Sequence, residues 1–141
     1  MKRIRDICQK EKKKVQLLLG ELLKKEKGIL FAYLHGTFEE GKPFRDIDLA
    51  VFVEGAIIPR NKVMDFEIAA SLRLQESIEM PVDLKVLNYA PLGFQYYSTT
   101  GLLIMCKDDD LRVDYLTKIR SLYFDFKPSS ERFLLEMIDA E

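Results

Sequence analysis

Two aspartates stand two positions apart in an apolar segment that has the alternation of a β-strand. They are Asp46 and Asp48 of RDIDLAVFV, and side chains at positions i and i+2 of a strand point to the same face. Carboxylates held this close repel each other, so they either share a proton or bind a cation. Oxygen ligands without imidazole or thiolate favour Mg²⁺ or Mn²⁺ over zinc. The pair therefore predicts a site for a divalent metal ion.

A third carboxylate falls in a second short strand pattern. In VDLKVLN, Asp83 and Lys85 share one face, and three apolar side chains share the other. If the two strands are neighbours, Asp83 can stand beside Asp46 and Asp48. Three carboxylates can then hold two metal ions, which lie about 3.5–4 Å apart in sites of this kind. Two such ions suit the transfer of a phosphoryl or nucleotidyl group.

The turn before the aspartate pair predicts phosphate binding. Gly36 and Thr37 directly follow an apolar strand pattern, and Gly41 relieves the loop. Glycine lets backbone N–H groups approach a phosphate closely, and a hydroxyl adds a further hydrogen bond. A Gly-Thr pair alone is a weak signal, as is Asp-x-Asp alone. Their order strengthens the prediction, because strand, glycine-hydroxyl turn, loop and Asp-x-Asp strand follow one another as this chemistry requires.

The elements that position these groups follow from hydrophobic periodicity. We predict helices over 3 to about 26, 63–78, 91–98, 108 to about 126 and 129–140, and strands over 29–34, 46–53, 82–87 and 102–106. The acidic triplet 108–110 is interpreted as a helix cap that complements the helix dipole, rather than as a metal site. This order describes an α/β domain and leaves parallel and antiparallel pairing open.

The overall composition is that of an ordinary globular domain. The 141 residues are 48% hydrophobic and 32% charged with a net charge of −1, which predicts one domain without general attraction to nucleic acid or anionic membranes. No apolar run approaches the length of a membrane span, and no signal peptide is recognised. One histidine and two distant cysteines, Cys8 and Cys106, argue against a His/Cys zinc site and a disulfide framework. A reducing cytoplasm is therefore expected.

The motifs together resemble those of the nucleotidyltransferase superfamily of DNA polymerase beta. Its signature is a Gly-Ser turn, a spacer, Asp-x-Asp on the next strand and a third carboxylate on a later strand. HGTFEEGKPFRDIDLAV matches the first two elements and VDLKVL the third. The carboxyl half, with LNYAPLGFQYY and GLLIMCKDDDLRVDYLTKIRSLYFDFKP, resembles the antitoxin-type minimal nucleotidyltransferases, known as MNT proteins. The resemblance covers about residues 29 to 135.

The resemblance implies a fold and a function. The fold is polymerase beta-like, a small mixed sheet with helices packed on one face, in a single domain over 1–141. The implied cofactor is Mg²⁺ or Mn²⁺ and the substrate is ATP. The implied partner is a HEPN-domain ribonuclease toxin, which receives AMP on a tyrosine, so that the chain acts as its antitoxin. The final helix, about 129–140, would contact that partner or pack on the domain itself.

The resemblance also implies roles for particular residues. Carried over by position, Asp46 and Asp48 are ligands of both metal ions, and Asp83 completes one metal site and helps to deprotonate the attacking hydroxyl. Gly36 and Thr37 hold the triphosphate. Many relatives have an arginine near the phosphates where this chain has Glu40. Arg45, at a position where many relatives have serine, or Lys42 could supply that positive charge instead, or either could be a solvated loop residue.

Two other functions stay open. The chain could keep the fold and neutralise the toxin by binding alone; Glu40 would repel phosphate if it pointed inward, and the spacer between Thr37 and Asp46 is about two residues shorter than the common form. Alternatively, it could adenylylate a small alcohol. Enzymes of that kind usually carry an extra helical domain, for which 141 residues leave little room. The sequence leaves homo-oligomers and hetero-oligomers open.

Several further residues have a structural and a functional interpretation. We expect His35 to pack at a strand end rather than act as a general base, and Lys85 to form an ion pair with Asp83 rather than contact phosphate. Tyr96 and Tyr97 are interpreted as core or interface residues rather than as a stacking platform for adenine. The apolar stripe of the final helix could pack on the domain or dock a partner; its members are Phe133, Leu134, Met137 and Ile138.

Overall fold

The computed structural model describes the backbone from Ile4 to Asp139 and the side chains from Ile4 to Asp125. Within this part the chain forms one four-stranded sheet, five α-helices and a 3-10 turn before the third helix. The strands are β1 (Ile29–His35), β2 (Ile47–Val53), β3 (Val82–Val86) and β4 (Leu102–Cys106). The helices are α1 (Gln9–Lys24), α2 (Gly36–Glu39), α3 (Val63–Ile78), α4 (Leu92–Ser98) and α5 (Asp109–Asp139).

The four strands and the helices α3 and α4 lie within one residue of their predicted bounds, and three other predictions need correction. Helix α1 begins at Gln9 rather than near residue 3, because Arg5 and Phe44 exchange two backbone hydrogen bonds of 2.7 and 2.9 Å. The segment after β1, predicted as a loop, contains α2. Helix α5 continues past Pro128, where an end was predicted. Proline removes one backbone donor, but its fixed φ is a helical one.

The sheet is mixed, as expected. Its strand order is β3-β2-β1-β4; β1 is antiparallel to β2 and β4, whereas β2 and β3 are parallel and are joined through α3. In this register His35 at the end of β1 lies opposite Asp48, and Asp48 lies opposite Asp83. The carboxyl end of β1 and the amino ends of β2 and β3 therefore meet at the same end of the sheet.

The alternation within the strands decides which face each residue occupies. One face packs against α1 and α3. The fully buried residues of this core include Leu34, Ile47, Leu49, Val51 and Leu84 from the strands and Leu19, Leu23 and Leu74 from the two helices. Helices were expected on one face of the sheet, and α1 and α3 cover that face. In addition, α5 covers part of the opposite face, where Leu116 and Tyr115 pack against Phe31. Asp48 and Asp83 point to this second face, beyond the end of its apolar cluster.

Strand β3 lies at the edge of the sheet, and side chains of α3 accept hydrogen bonds from its outward backbone N–H groups. Three side chains at positions i, i+4 and i+8 of α3 accept hydrogen bonds from alternate backbone N–H groups of β3. The pairs are Val82 to Gln75 Oε1 at 2.9 Å, Leu84 to Ser71 Oγ at 3.1 Å and Val86 to Glu67 Oε2 at 2.8 Å. We call this set the α3–β3 ladder. It fixes the alignment of β3, and therefore the position of Asp83, along the length of α3.

The asparagine after β3 closes the opposite end of the β2–β3 pair. Asn88 Oδ1 accepts a hydrogen bond from the Val53 N–H at 2.8 Å, and Asn88 Nδ2 donates to the Val53 carbonyl at 2.7 Å. The side chain therefore replaces the next rung of strand pairing, where β3 has already turned towards α4. This explains why an asparagine begins the NYAP turn.

Within the described residues, no helix combines the length and the apolar character that a membrane crossing requires. Cys8 is exposed and Cys106 is half-buried, and both thiols are free. The stripe predicted for the final helix, Phe133, Leu134, Met137 and Ile138, lies outside the described side chains.

Candidate active site

The three aspartates singled out by the sequence lie together at the end of the sheet. Asp46, Asp48 and Asp83 each offer a carboxylate oxygen, and these oxygens all lie within 4.8 Å of one another. The register explains the contact, since Asp48 and Asp83 are directly opposite in the parallel β2–β3 pair and Asp46 immediately precedes β2. All three side chains are half-buried. We call this set the carboxylate cluster.

The carboxylate cluster has the chemistry of a divalent metal site. Its donors are oxygens only, and mutual repulsion at this spacing is relieved when a cation binds or a proton is taken up. Lys85 Nζ lies 3.8 Å from Asp83 Oδ1, and both side chains are about half exposed, so this ion pair offsets the charge only weakly. The pairing of Lys85 with Asp83 is the one that the sequence predicts.

Gly36 brings the backbone against the carboxylate cluster. Its φ is +82°, a left-handed conformation that glycine adopts without strain. A β-carbon at this position would overlap Asp48 Oδ2. Any other residue would therefore push the Asp48 carboxylate away or strain the turn. The absence of a side chain at Gly36 is thus a requirement of the site's geometry.

The remaining residues predicted to bind phosphate surround this turn. Thr37 is exposed in the only turn of α2, and Arg45 is exposed directly before Asp46. Helix α2 is held in place by Lys12, whose Nζ donates a hydrogen bond to the Glu39 carbonyl. Thr37 and Arg45 are therefore both open to solvent, one directly after Gly36 and the other directly before Asp46.

Glu40, which was expected to repel phosphate if it pointed inward, forms an ion pair with Lys42. Its carboxylate lies 3.0 Å from Lys42 Nζ, with the two side chains 49% and 68% exposed respectively. The ion pair lowers the negative charge that an incoming phosphate would meet, although exposed pairs of this kind are weak. Glu40 still borders the same cleft as Gly36.

His35 packs beside the carboxylate cluster at the end of β1. Its ring meets the Phe94 ring edge-on, with centroids 5.6 Å apart. Burial lowers the pKa of the imidazole below its usual value, and the charge of Asp83 opposes this shift only in part. Nε2 is buried without a hydrogen-bond partner among the described residues. The imidazole is therefore neutral at pH 7, as a packed strand-end residue would be.

Helix α4 contributes a wall that the motif pattern did not identify. Phe94, Tyr97 and Ser98 line a cleft together with His35 and Gly36. The only sequence signal was the aromatic character of FQYY, which does not reveal which strand it approaches.

The tyrosine pair has the packing role expected of it. Tyr96 stacks on Tyr123 of α5, with ring centroids 4.0 Å apart and planes 3° apart, and the hydroxyls of Tyr97 and Tyr123 lie 2.8 Å apart. One face of Tyr96 is therefore already covered by α5. These contacts join α4 to α5 and fix the wall of the cleft.

Known structures share this fold. The chain superposes with a TM-score of 0.68 on a chain of the complex between tri-AMPylated Shewanella oneidensis HEPN toxin and MNT antitoxin, at 18% identity over 90% of this chain and 98% of that one. A chain of a MntA-HepT toxin–antitoxin structure gives 0.67 at 18% identity, covering 89% and 98%. A toxin–antitoxin structure with AMP-PNP gives 0.64 at 19% identity, covering 93% and 99%. At these identities the likeness establishes the fold.

The sequence also matches a family model. No curated protein matches the chain closely enough to be counted as a relative. Residues 18–110, however, match the model described as Polymerase beta, Nucleotidyltransferase. The matched region contains β1, the Gly36 turn and the whole carboxylate cluster. The chain therefore belongs to the polymerase beta nucleotidyltransferase family.

Proposed function

We propose that this chain transfers AMP from ATP to a tyrosine of a HEPN-domain ribonuclease toxin and thereby acts as the antitoxin. The observation that carries the proposal is the carboxylate cluster, in which oxygens of Asp46, Asp48 and Asp83 lie within 4.8 Å of one another beside a glycine turn. Membership of a nucleotidyltransferase family supports the use of a nucleotide. The structures that share the fold support the partner, because they contain HEPN toxins with MNT antitoxins.

The residue roles follow from the arrangement of the site. Asp46 and Asp48 would hold two divalent ions, Mg²⁺ or Mn²⁺, and Asp83 would complete one of the two positions. Bound there, the ions would supply positive charge to the triphosphate. Gly36 and Thr37 would bind the phosphates through backbone N–H groups and a hydroxyl.

Arg45 would supply the additional cation near the phosphates. It lies directly before Asp46 and is exposed, so its guanidinium can turn towards the carboxylate cluster without breaking a buried contact. Lys42 Nζ already lies 3.0 Å from the Glu40 carboxylate, whereas Arg45 directly precedes Asp46, which makes Arg45 the better candidate.

The transfer itself balances with these groups. The phenolic oxygen of the acceptor forms a bond to the α-phosphorus of ATP, and the bond from that phosphorus to the oxygen bridging to the β-phosphorus breaks. Pyrophosphate leaves. The phenolic proton passes to the Asp83 carboxylate and then to water, so the products are the tyrosine–AMP ester, pyrophosphate and one proton.

The proposal extends to the whole chain. Residues 1–141 would form one nucleotidyltransferase domain, and the segment predicted as the final helix, about 129–140, would contact the toxin. A cytoplasmic location would agree with the two free thiols.

A direct test is incubation with labelled ATP, Mg²⁺ and the HEPN-domain protein encoded beside the chain. The wild type should label that protein on tyrosine, and Asp48→Asn should not. If the wild type leaves the partner unlabelled, catalysis is excluded. If the wild type does label the partner, a variant with alanine at Asp46, Asp48 and Asp83 separates the alternatives, because it should still neutralise the toxin if binding alone suffices and should fail if AMP transfer is required.

A further inference from the structure

The carboxylate cluster has two different sides. Towards β1 it adjoins Gly36 and the start of α2, where the proposed function places the triphosphate. In the opposite direction lies β3, the edge strand, which carries Asp83. Since an acceptor must approach the α-phosphorus opposite the leaving pyrophosphate, it must come from the side away from the triphosphate. That is the β3 side.

A groove on the β3 side is lined by exposed apolar residues. Met64, Ile68 and Leu72 follow one another at four-residue intervals on α3 and are 72%, 56% and 59% exposed. The groove runs between α3 and β3, and Asp83 and Lys85 are part of its lining. We call it the α3–β3 groove. Large apolar side chains this exposed, in a continuous stripe, are typical of a contact surface.

The length of the stripe suits a polypeptide. Met64 and Leu72 are eight positions apart on the helix, which is about 12 Å at a rise of 1.5 Å per residue. A small alcohol acceptor at Asp83 would leave most of that surface uncovered, whereas a segment of a protein would cover it. The stripe is also continuous with the carboxylate cluster, because the same groove reaches Asp83.

The α3–β3 ladder decides how such a segment binds. An edge strand normally offers alternate N–H groups to an added strand. Here the outward N–H groups of Val82, Leu84 and Val86 already donate to α3 side chains. The groove therefore binds by packing of side chains, as an apolar helix face or an irregular segment would, and not by strand addition.

We propose that the α3–β3 groove docks the protein acceptor, with apolar side chains of the acceptor over Met64, Ile68 and Leu72 and its tyrosine hydroxyl beside Asp83. This inference rests on the proposed function. It adds the surface that selects the acceptor, which the carboxylate cluster alone does not provide.

The test uses the double variant Ile68→Ser/Leu72→Ser of the full chain. Serine removes the apolar surface without adding a charge near Asp83, and both positions are more than half exposed, so the fold should be retained. The control is Leu17→Ser on α1, which is 73% exposed and lies beside β4 at the other edge of the sheet. AMP transfer to the HEPN-domain partner, binding of that partner and the rise in melting temperature with Mg²⁺ and ATP are measured for each.

We expect the double variant to raise the KM for the protein acceptor roughly tenfold or more, as loss of central apolar contacts does in interfaces. Its kcat and its nucleotide-dependent rise in melting temperature should match those of the wild type. Leu17→Ser should match the wild type in KM, in kcat and in the rise in melting temperature. An unchanged KM and unchanged partner binding would show that the α3–β3 groove does not dock the acceptor, without contradicting the proposed function. If the wild type transfers no AMP but the double variant still binds the partner more weakly, the proposed AMP transfer is wrong and the groove is still supported as the surface that docks the partner.

Discussion

Asp48 of β2 and Asp83 of β3 lie directly opposite each other in a parallel strand pair. Like charges in this position destabilise a sheet, because the side chains of opposed residues are neighbours on one face. Asp46 adds a third carboxylate to the same point. Crowding these charges therefore has an electrostatic cost at the end of the sheet, and a bound divalent cation would remove that cost.

Neutralising one carboxylate should separate stability from activity. Asp48→Asn keeps a side chain of the same shape with one acceptor, so without divalent metal the variant should be more stable than the wild type by roughly 0.5–1 kcal/mol. AMP transfer should fall by about 100-fold or more. Urea unfolding in a chelator and labelled ATP measure the two effects.

Metal binding should appear in the same pair of proteins. Added Mg²⁺ should raise the melting temperature of the wild type, since a ligand that binds the folded state stabilises it by mass action. The rise should be much smaller in Asp48→Asn. An equal rise in both proteins would show that the carboxylate cluster is not the binding site.

A methyl group at Gly36 should disable the site. In Gly36→Ala the β-carbon would overlap Asp48 Oδ2 and the left-handed backbone would be strained, which costs roughly 1–2 kcal/mol. Transfer activity should be lost together with the Mg²⁺-dependent rise in melting temperature. Gly93→Ala is the control, because the new methyl group would meet no described atom within 4 Å beyond its chain neighbours and the backbone of its own helix. It lies in α4 and should be neutral or stabilising by about 0.5–1 kcal/mol.

Breaking one rung of the α3–β3 ladder should destabilise the fold. Ser71→Ala removes the acceptor for the Leu84 N–H, now 3.1 Å from Ser71 Oγ, and an unsatisfied buried donor costs roughly 1–3 kcal/mol. Ser77→Ala on the same helix removes only an exposed hydroxyl that donates to the Arg73 carbonyl at 3.3 Å. Denaturant unfolding should give the first variant a clearly lower midpoint, and similar midpoints would contradict a role for the ladder.

Asn88 should matter for a similar reason at the other end of β3. Asn88→Ala leaves both the N–H and the carbonyl of Val53 without their side-chain partner, and Val53 is 1% exposed, so a loss of roughly 1–3 kcal/mol is expected. Asn61→Ala, an exposed asparagine, is the control and should change stability by less than about 0.5 kcal/mol. Thermal unfolding of the two variants gives the comparison.

The local patterns of the sequence determined the four strands, helices α3 and α4, and the residue types of the carboxylate cluster. Alternation in DIDLAVFV places Asp48 on the face opposite Leu49, because neighbouring side chains in a strand point in opposite directions whatever the rest of the chain does. The same local rule places Asp83 opposite Leu84. Helix α3 was predicted at its observed bounds, since its apolar spacing and the preceding proline are both local signals. The Gly36 turn was also predicted from a local signal, the Gly-Thr pair directly after an apolar strand pattern.

Only the tertiary structure decided which strands are neighbours. Asp48 and Asp83 are 35 positions apart, and their contact depends on β2 and β3 pairing in parallel through α3. That pairing buries Val82, Leu84 and Val86 in the core shared with β2 and α3, and no short window of sequence contains all of these partners. For the same reason α4 beside His35, α5 on the second face and the groove that reaches Asp83 could not be read from the chain. Residue types set the chemistry of this site, and the packing of distant segments set its shape.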